Sequence, residues 1–199
     1  MSADATLPYR AMARNNAWAN HRLLAACARL APDEFAAQRV GFFPSLRATL
    51  NHILVIDWFY VDALKNGTLG PAAWAVLEPC STVPALQAAQ GKVDRRLLAV
   101  VDALDEAGLA RIVAVHRTGH IQHERMDRLL LHIFQHQIHH RGQAHAMLSG
   151  TSVPPPQLDE FFPAGEAELR EDEFDALGWT EAAVWGRQDP AGQSFVTTR

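Results

Sequence analysis

Cysteine is nearly absent from this 199-residue chain. Cys27 and Cys80 are the only two; they cannot build a disulfide framework and form no Cys-x-x-Cys pair. They read as inert thiols in a reducing cytoplasm. The opening Met1-Ser2-Ala3-Asp4-Ala5 lacks the basic and apolar regions of a signal peptide, which predicts the same cytoplasmic location. No apolar run reaches the roughly 18 residues of a membrane span. Positive charge is not in excess: 18 Lys and Arg stand against 22 Asp and Glu, for a net charge of −4. That balance leaves no electrostatic footprint for nucleic acid or an anionic membrane. Familiar catalytic signatures are missing too. His123-Glu124-Arg125-Met126-Asp127 ends in Asp, so there is no His-Glu-x-x-His, and no Glu-x-x-His of the di-iron bundles occurs. Neither a Gly-rich phosphate loop after a strand nor a Gly-x-Ser-x-Gly is found.

Histidine is what the chain concentrates. Of ten histidines, His132, His136, His139, His140 and His145 fall in one short segment. An α-helix turns about 100° per residue. Leu129, Ile133, His136, His140, Ala144 and Met147 then form one stripe, the core-facing side of an amphipathic helix. His136 and His140 replace apolar residues in mid-stripe, at the i,i+4 spacing that lets two imidazoles hold one ion. The alternative is a hydrogen-bonded pair of core histidines. Burying two unpaired imidazoles is costly, which favours the ion. A third ligand must come from elsewhere. His52 is the best candidate, since Val55, Ile56 and Phe59 follow it at i+3, i+4 and i+7 and place it on a buried face. His132 and His139 fall on the stripe's edge, and His145 lies off it. His21 sits on the polar side of the first helix, and His116, His120 and His123 lie in a polar stretch. Three histidines without a fourth protein ligand would leave a position open for water or substrate, as catalytic sites do.

The rest of the chain predicts an all-α fold, a four-helix bundle with a C-terminal extension. The expected organisation is a bundle over 1–160 and an acidic, partly helical extension over 161–199, packed on the bundle and frayed at its end. The first helix is expected from about Pro8 to Leu30, with Tyr9, Met12, Asn16, Ala19, Leu23 and Cys27 inward. Ser45 caps the second, which stops at Asn66-Gly67. Ser81 or Thr82 caps the third, with Pro84 in its first turn and its end near Ala107-Gly108. Residues 110–123 alternate weakly between Arg111 and His116 and allow a short extended segment. The histidine helix stops at Ser149-Gly150, before Pro154-Pro155-Pro156. The acids Glu166, Glu168, Glu171, Asp172 and Glu173 predict a solvated helix face. Trp179 and Trp185 suggest that the tail docks on the bundle or on a second subunit.

The run His136-Gln137-Ile138-His139-His140-Arg141-Gly142-Gln143 resembles the His-x-x-His-His-Arg-Gly-Gln signature of the DinB-like family, within the DinB/YfiT superfamily of metalloenzyme-like proteins. Asn16-Ala17-Trp18-Ala19-Asn20-His21-Arg22-Leu23-Leu24, Leu50-Asn51-His52-Ile53-Leu54 and Pro155-Pro156-Gln157-Leu158-Asp159 are similar as well, so the resemblance spans roughly residues 8 to 160. It implies a four-helix bundle, often a homodimer. It also implies a divalent metal (zinc, nickel or iron) held by one histidine of the second helix and two of the last, here His52, His136 and His140. Some members resemble transferases of low-molecular-weight thiols or a thiol-dependent isomerase. The expected function is therefore a metal-dependent enzyme that activates a small thiol or water on a small-molecule substrate. The alternative is a non-catalytic, stress- or damage-inducible metal-binding protein. Gln143, within about 60° of His140 by helix phase, is a candidate to orient that ligand, with His132 a weaker one. Arg141 points about 100° away from His140, toward a neighbouring helix or subunit. Asp57, about 140° from His52, faces away from the metal. Gly142 in mid-helix suggests a close helix–helix approach.

Overall fold

In the computed structural model, residues 4–186 are described. Four helices of 19 to 23 residues carry the core: α1 (Leu7–Cys27), α3 (Leu46–Leu64), α4 (Val83–Asp102) and α6 (Met126–Leu148). Shorter helices are α2 (Pro32–Ala36), α5 (Glu106–Ala110), α7 (Glu171–Leu177) and α8 (Glu181–Trp185), with 3₁₀ turns at Gly70–Trp74 and Ala164–Arg170. α1 packs on α4 and α6, and α3 packs on the same two, so each long helix has two long neighbours. Leu23, Leu54, Phe59, Leu97, Val101 and Leu130 are among the side chains that fill the space between them. No helix among the described residues is long and apolar enough to cross a membrane.

The caps act as their chemistry requires. Ser45 Oγ accepts from the Ala48 N–H at 3.0 Å and Thr82 Oγ1 from the Ala85 N–H at 3.4 Å, each using a backbone donor that the first helical turn leaves unpaired. α4 ends at Asp102, earlier than the expected Ala107-Gly108. Asp105 explains the break: its carboxylate accepts from the Gly108 N–H at 2.7 Å and starts α5 as a separate helix.

The fold is mostly helical but not all-α. Strands β1 (Ile112–Arg117) and β2 (His120–Arg125) form an antiparallel hairpin, from Ile112 opposite Arg125 to Arg117 opposite His120. Its two-residue turn, Thr118-Gly119, places Gly119 at φ 79°, a left-handed conformation that glycine adopts at least cost. Val113 and Val115 point into the core, which explains the alternation of this segment. β2 has no apolar side to bury and is held by pairing with β1, so periodicity cannot announce it.

α1 is buried on more sides than one amphipathic stripe predicts. Asn15 to Asn20 are all buried, because the C-terminal segment covers its second face. Trp18 and Ala19 join Phe161, Phe174 and Val184 in a small separate core. The acidic segment is only partly a solvated face. Arg22 binds Glu173 in bidentate fashion at 2.8 and 2.9 Å and Glu160 at 2.6 Å, with its guanidinium 4.5 Å from the centre of the Trp18 ring. Arg170, fully buried, pairs with Glu181 at 2.7 and 2.8 Å. The fraying expected at Gln193 to Arg199 lies outside the described residues.

Gly142 does not mark a close approach. It is exposed, and a Cβ built there meets nothing within 4 Å. Gly142→Ala is therefore expected to stabilise the protein by about 0.5–1 kcal/mol, the usual helix-interior difference between the two residues. The midpoint of urea unfolding measures it. A loss of stability would show that the face of α6 carrying Gly142 packs against a second copy in solution.

Candidate metal centre

α3 and α6 pack against each other and bring His52, His136 and His140 together: one potential ligand nitrogen from each lies within 4.8 Å of the other two. The ring centroids are 4.4 Å apart for His136 and His140, 4.6 Å for His52 and His140, and 5.1 Å for His52 and His136. The Nε2 atoms of His52 and His136 face each other at 3.1 Å. Two nitrogens that close need a proton or a cation between them. Two imidazole ligands at about 2.0–2.1 Å from a tetrahedral ion would stand about 3.3 Å apart, so the spacing suits a shared ion. His140 is buried, while His52 and His136 are half-buried. Solvent therefore reaches the ligand set.

Electrostatics prepares the set for a cation. Burial, then the nearby His140, pulls His52 down to about 4. Burial, then the surrounding histidines His140, His52, His132 and His139, pulls His136 down to about 3. His140 is lowered chiefly by burial, partly offset by its bond to Gln143. All three are neutral at neutral pH, the form that ligates metal.

Gln143 fixes one of the rings. Its amide N–H donates to His139 Nε2 at 3.2 Å, and its carbonyl oxygen accepts from His140 Nδ1 at 2.8 Å. That leaves His140 Nε2 as the bare acceptor available to an ion. Gln143→Ala is expected to lower metal affinity by about 10–100-fold while preserving helix content. Competition against a chelator of known affinity reads it, and unchanged affinity would refute the orienting role. His136 Nδ1, by contrast, is buried without a hydrogen-bond partner.

The other candidates lie elsewhere. His132 is exposed; its ring is 5.0 Å from that of Tyr60 and 6.3 Å from that of His136. His145 Nε2 bonds the Pro156 carbonyl at 2.9 Å. His116, His120 and His123 belong to the hairpin. Phe43, in the loop before α3, packs its ring 4.4 Å from His52 and 5.6 Å from His140. Beside it Phe42 is 78% exposed. The Phe-Phe pair was visible in the sequence, but nothing local says that this loop folds back over the histidines.

A second polar cluster is buried across the core. Arg141 reaches α1, donating to Asn16 Oδ1 and to Asn20 Oδ1 at 3.1 Å, and it also donates to Gln137 Oε1 at 3.2 Å. The Asn20 amide N–H in turn donates to Asp94 at 3.1 and 3.3 Å. Gln90 Nε2 bridges Asp57 Oδ2 at 2.7 Å and Asp94 Oδ1 at 3.1 Å. Asp57 thus faces Gln90, not the histidines. Burial raises Asp57 to about 6, and burial with the neighbouring Asp57 raises Asp94 to about 8. Burial lowers Arg141 to about 10, against the pull of Asp94 and Asp57.

A crystal structure of a DinB-like protein from Bacillus cereus ATCC 10987 is similar in fold: TM-score 0.55 and 16% identity, covering 72% of this chain and 92% of that one. No curated protein matches the chain. The family model for the DinB family matches residues 1–172, past the 160 to which the motifs extend. The chain belongs to the DinB family.

Proposed function

We propose that this protein is a metal-dependent enzyme whose divalent ion is held by His52, His136 and His140 in a four-helix bundle, and that it activates a low-molecular-weight thiol ahead of water. The observation that carries the reading is the donor set itself: three neutral imidazoles converging from two helices, two of them half-buried and His140 buried, with no carboxylate or thiolate among the grouped ligands. A divalent ion in such a site lowers the pKa of a thiol or water bound at an open position and supplies a nucleophile at neutral pH. The chain's own part is to hold the imidazoles. His136 and His140 are fixed one turn apart on α6, His52 is brought from α3, and Gln143 sets the tautomer of His140. Phe42 and Phe43 offer apolar surface beside the ligands for the body of a substrate. The buried thiols of Cys27 and Cys80 are pushed up by desolvation, Cys27 to about 12, which leaves them protonated and favours an external thiol as nucleophile. Zinc, nickel and iron all suit imidazole ligands.

The test is to load purified protein with each metal and assay small thiols against an electrophile panel, with ester hydrolysis in parallel. Metal-dependent thiol consumption lost on chelation supports the proposal. Ester hydrolysis without thiol transfer moves the assignment to water activation. If chelation unfolds the chain and neither reaction is detected, the ion is structural.

A further inference from the structure

A cavity of about 460 Å³ lies between α1, α4 and the end of α7 with Trp179 beyond it, and none of the three clustered histidines lines it. Part of its wall, Ala176, Leu177 and Trp179, falls beyond residue 172, where the family match ends. The volume is in the usual range of small-molecule sites.

Its floor is polar and short of donors. Gln90 is 2% exposed, and its amide N–H groups face two carboxylates, Asp57 and Asp94. Asp57, at about 6, is ionised at neutral pH and only accepts, so the amide orientation is settled and Oε1 points away from it. That oxygen is buried without a partner. Asp94 Oδ1 takes the Gln90 bond at 3.1 Å, an Asn20 bond at 3.1 Å and an Asn16 bond at 3.5 Å, whereas Oδ2 receives only the 3.3 Å bond from Asn20. Leu24, Leu98, Leu177 and Trp179 give the cavity apolar walls.

We propose that this cavity binds a small organic cation, an amine, amidine or guanidine on an apolar body, whose N–H groups donate to Asp94 Oδ2. Asp94 Oδ2 holds one long bond only, and a bound cation draws the carboxyl into the charged form that pairs with it. Arg141 reaches Asp94 only through the Asn16 and Asn20 amides, so its positive charge stands one side chain away from the carboxyl. Arg95 also lines the cavity, but it is exposed, and solvent screens its charge far more than the protein screens the buried Asp94. The apolar walls take the body of the ligand.

Gly91 supplies a clean blocking variant. It lines the cavity, and a Cβ there meets only the mobile end of Arg95, at 3.4 Å. Gly91→Leu should fold with unchanged helix content and fill the space. The probe is benzylamine, titrated against the full chain by NMR with benzyl alcohol as the neutral comparator. Saturable one-to-one binding of benzylamine is expected, at least about 10-fold tighter than the alcohol. Asp94→Asn should weaken it by a similar factor, Gly91→Leu should abolish it, and His52→Ala should leave it unchanged. Absence of saturable amine binding, equal affinity for the alcohol, or amine binding that survives Gly91→Leu in folded protein would each overturn the proposal.

Discussion

His136→Ala and His140→Ala are each expected to strip the protein of its metal, from about one ion per chain to near background, because one imidazole and water cannot replace a chelating pair on a rigid helix. His52→Ala should do the same, and His132→Ala, with its ring against Tyr60, should leave metal content unchanged. Elemental analysis of the four purified variants decides it; stoichiometric metal in both α6 variants would refute the site. The metal-free protein should also respond to acid in a defined direction. His52 at about 4 and His136 at about 3 are lowered in the folded state relative to the ordinary 6.5. Their neutral forms therefore favour folding above pH 6.5. That contribution drains away as pH falls toward 3, where the folded chain must accept protons it resists. A bound ion displaces those protons, so loaded protein should hold its fold to lower pH than stripped protein. Thermal melts of both forms across pH 7 to 4 compare them.

Arg141→Ala is expected to cost about 3–5 kcal/mol, the scale of removing one side of a buried charge pair. Arg141 is 4% exposed and donates to three amide carbonyls, those of Asn16, Asn20 and Gln137. Its loss leaves those acceptors unpaired and removes the buried cation that answers Asp94 and Asp57. Denaturant unfolding gives the number. Combining Arg141→Ala with Asp57→Asn should recover part of the loss, since Asp57, at about 6, is the carboxylate ionised at neutral pH and left uncompensated. A single-variant cost below about 1 kcal/mol, or no recovery in the double variant, would mean that water reaches the cluster and carries the charge.

Much of the architecture can be read from local rules. The i,i+4 pair of His136 and His140 in mid-stripe, the Ser45 and Thr82 caps, and the stops after Leu64 and Leu148 each depend on residues within a turn or two of one another. The same is true of Gln143, three residues from His140. β2 escaped because its stability comes from its partner strand, not from a pattern of its own. Gly142 misled because a mid-helix glycine looks the same whether it faces a neighbouring helix or open space.

Helical phase carried by one element could name His52 as a candidate ligand, but only the packing of α3 on α6 brings its nitrogen to 3.1 Å from that of His136. Likewise Arg141, Asn20, Gln90, Asp57 and Asp94 lie on four helices and have no local signature. They form one network because those helices surround the same buried volume, where unpaired polar groups must find each other. The cavity between α1, α4 and Trp179 arises the same way, from where the C-terminal segment comes to rest on α1. Sequence spacing specifies which residues share a face. Which faces meet is decided by closing the core, because burial rewards the assembled surface and not any single helix.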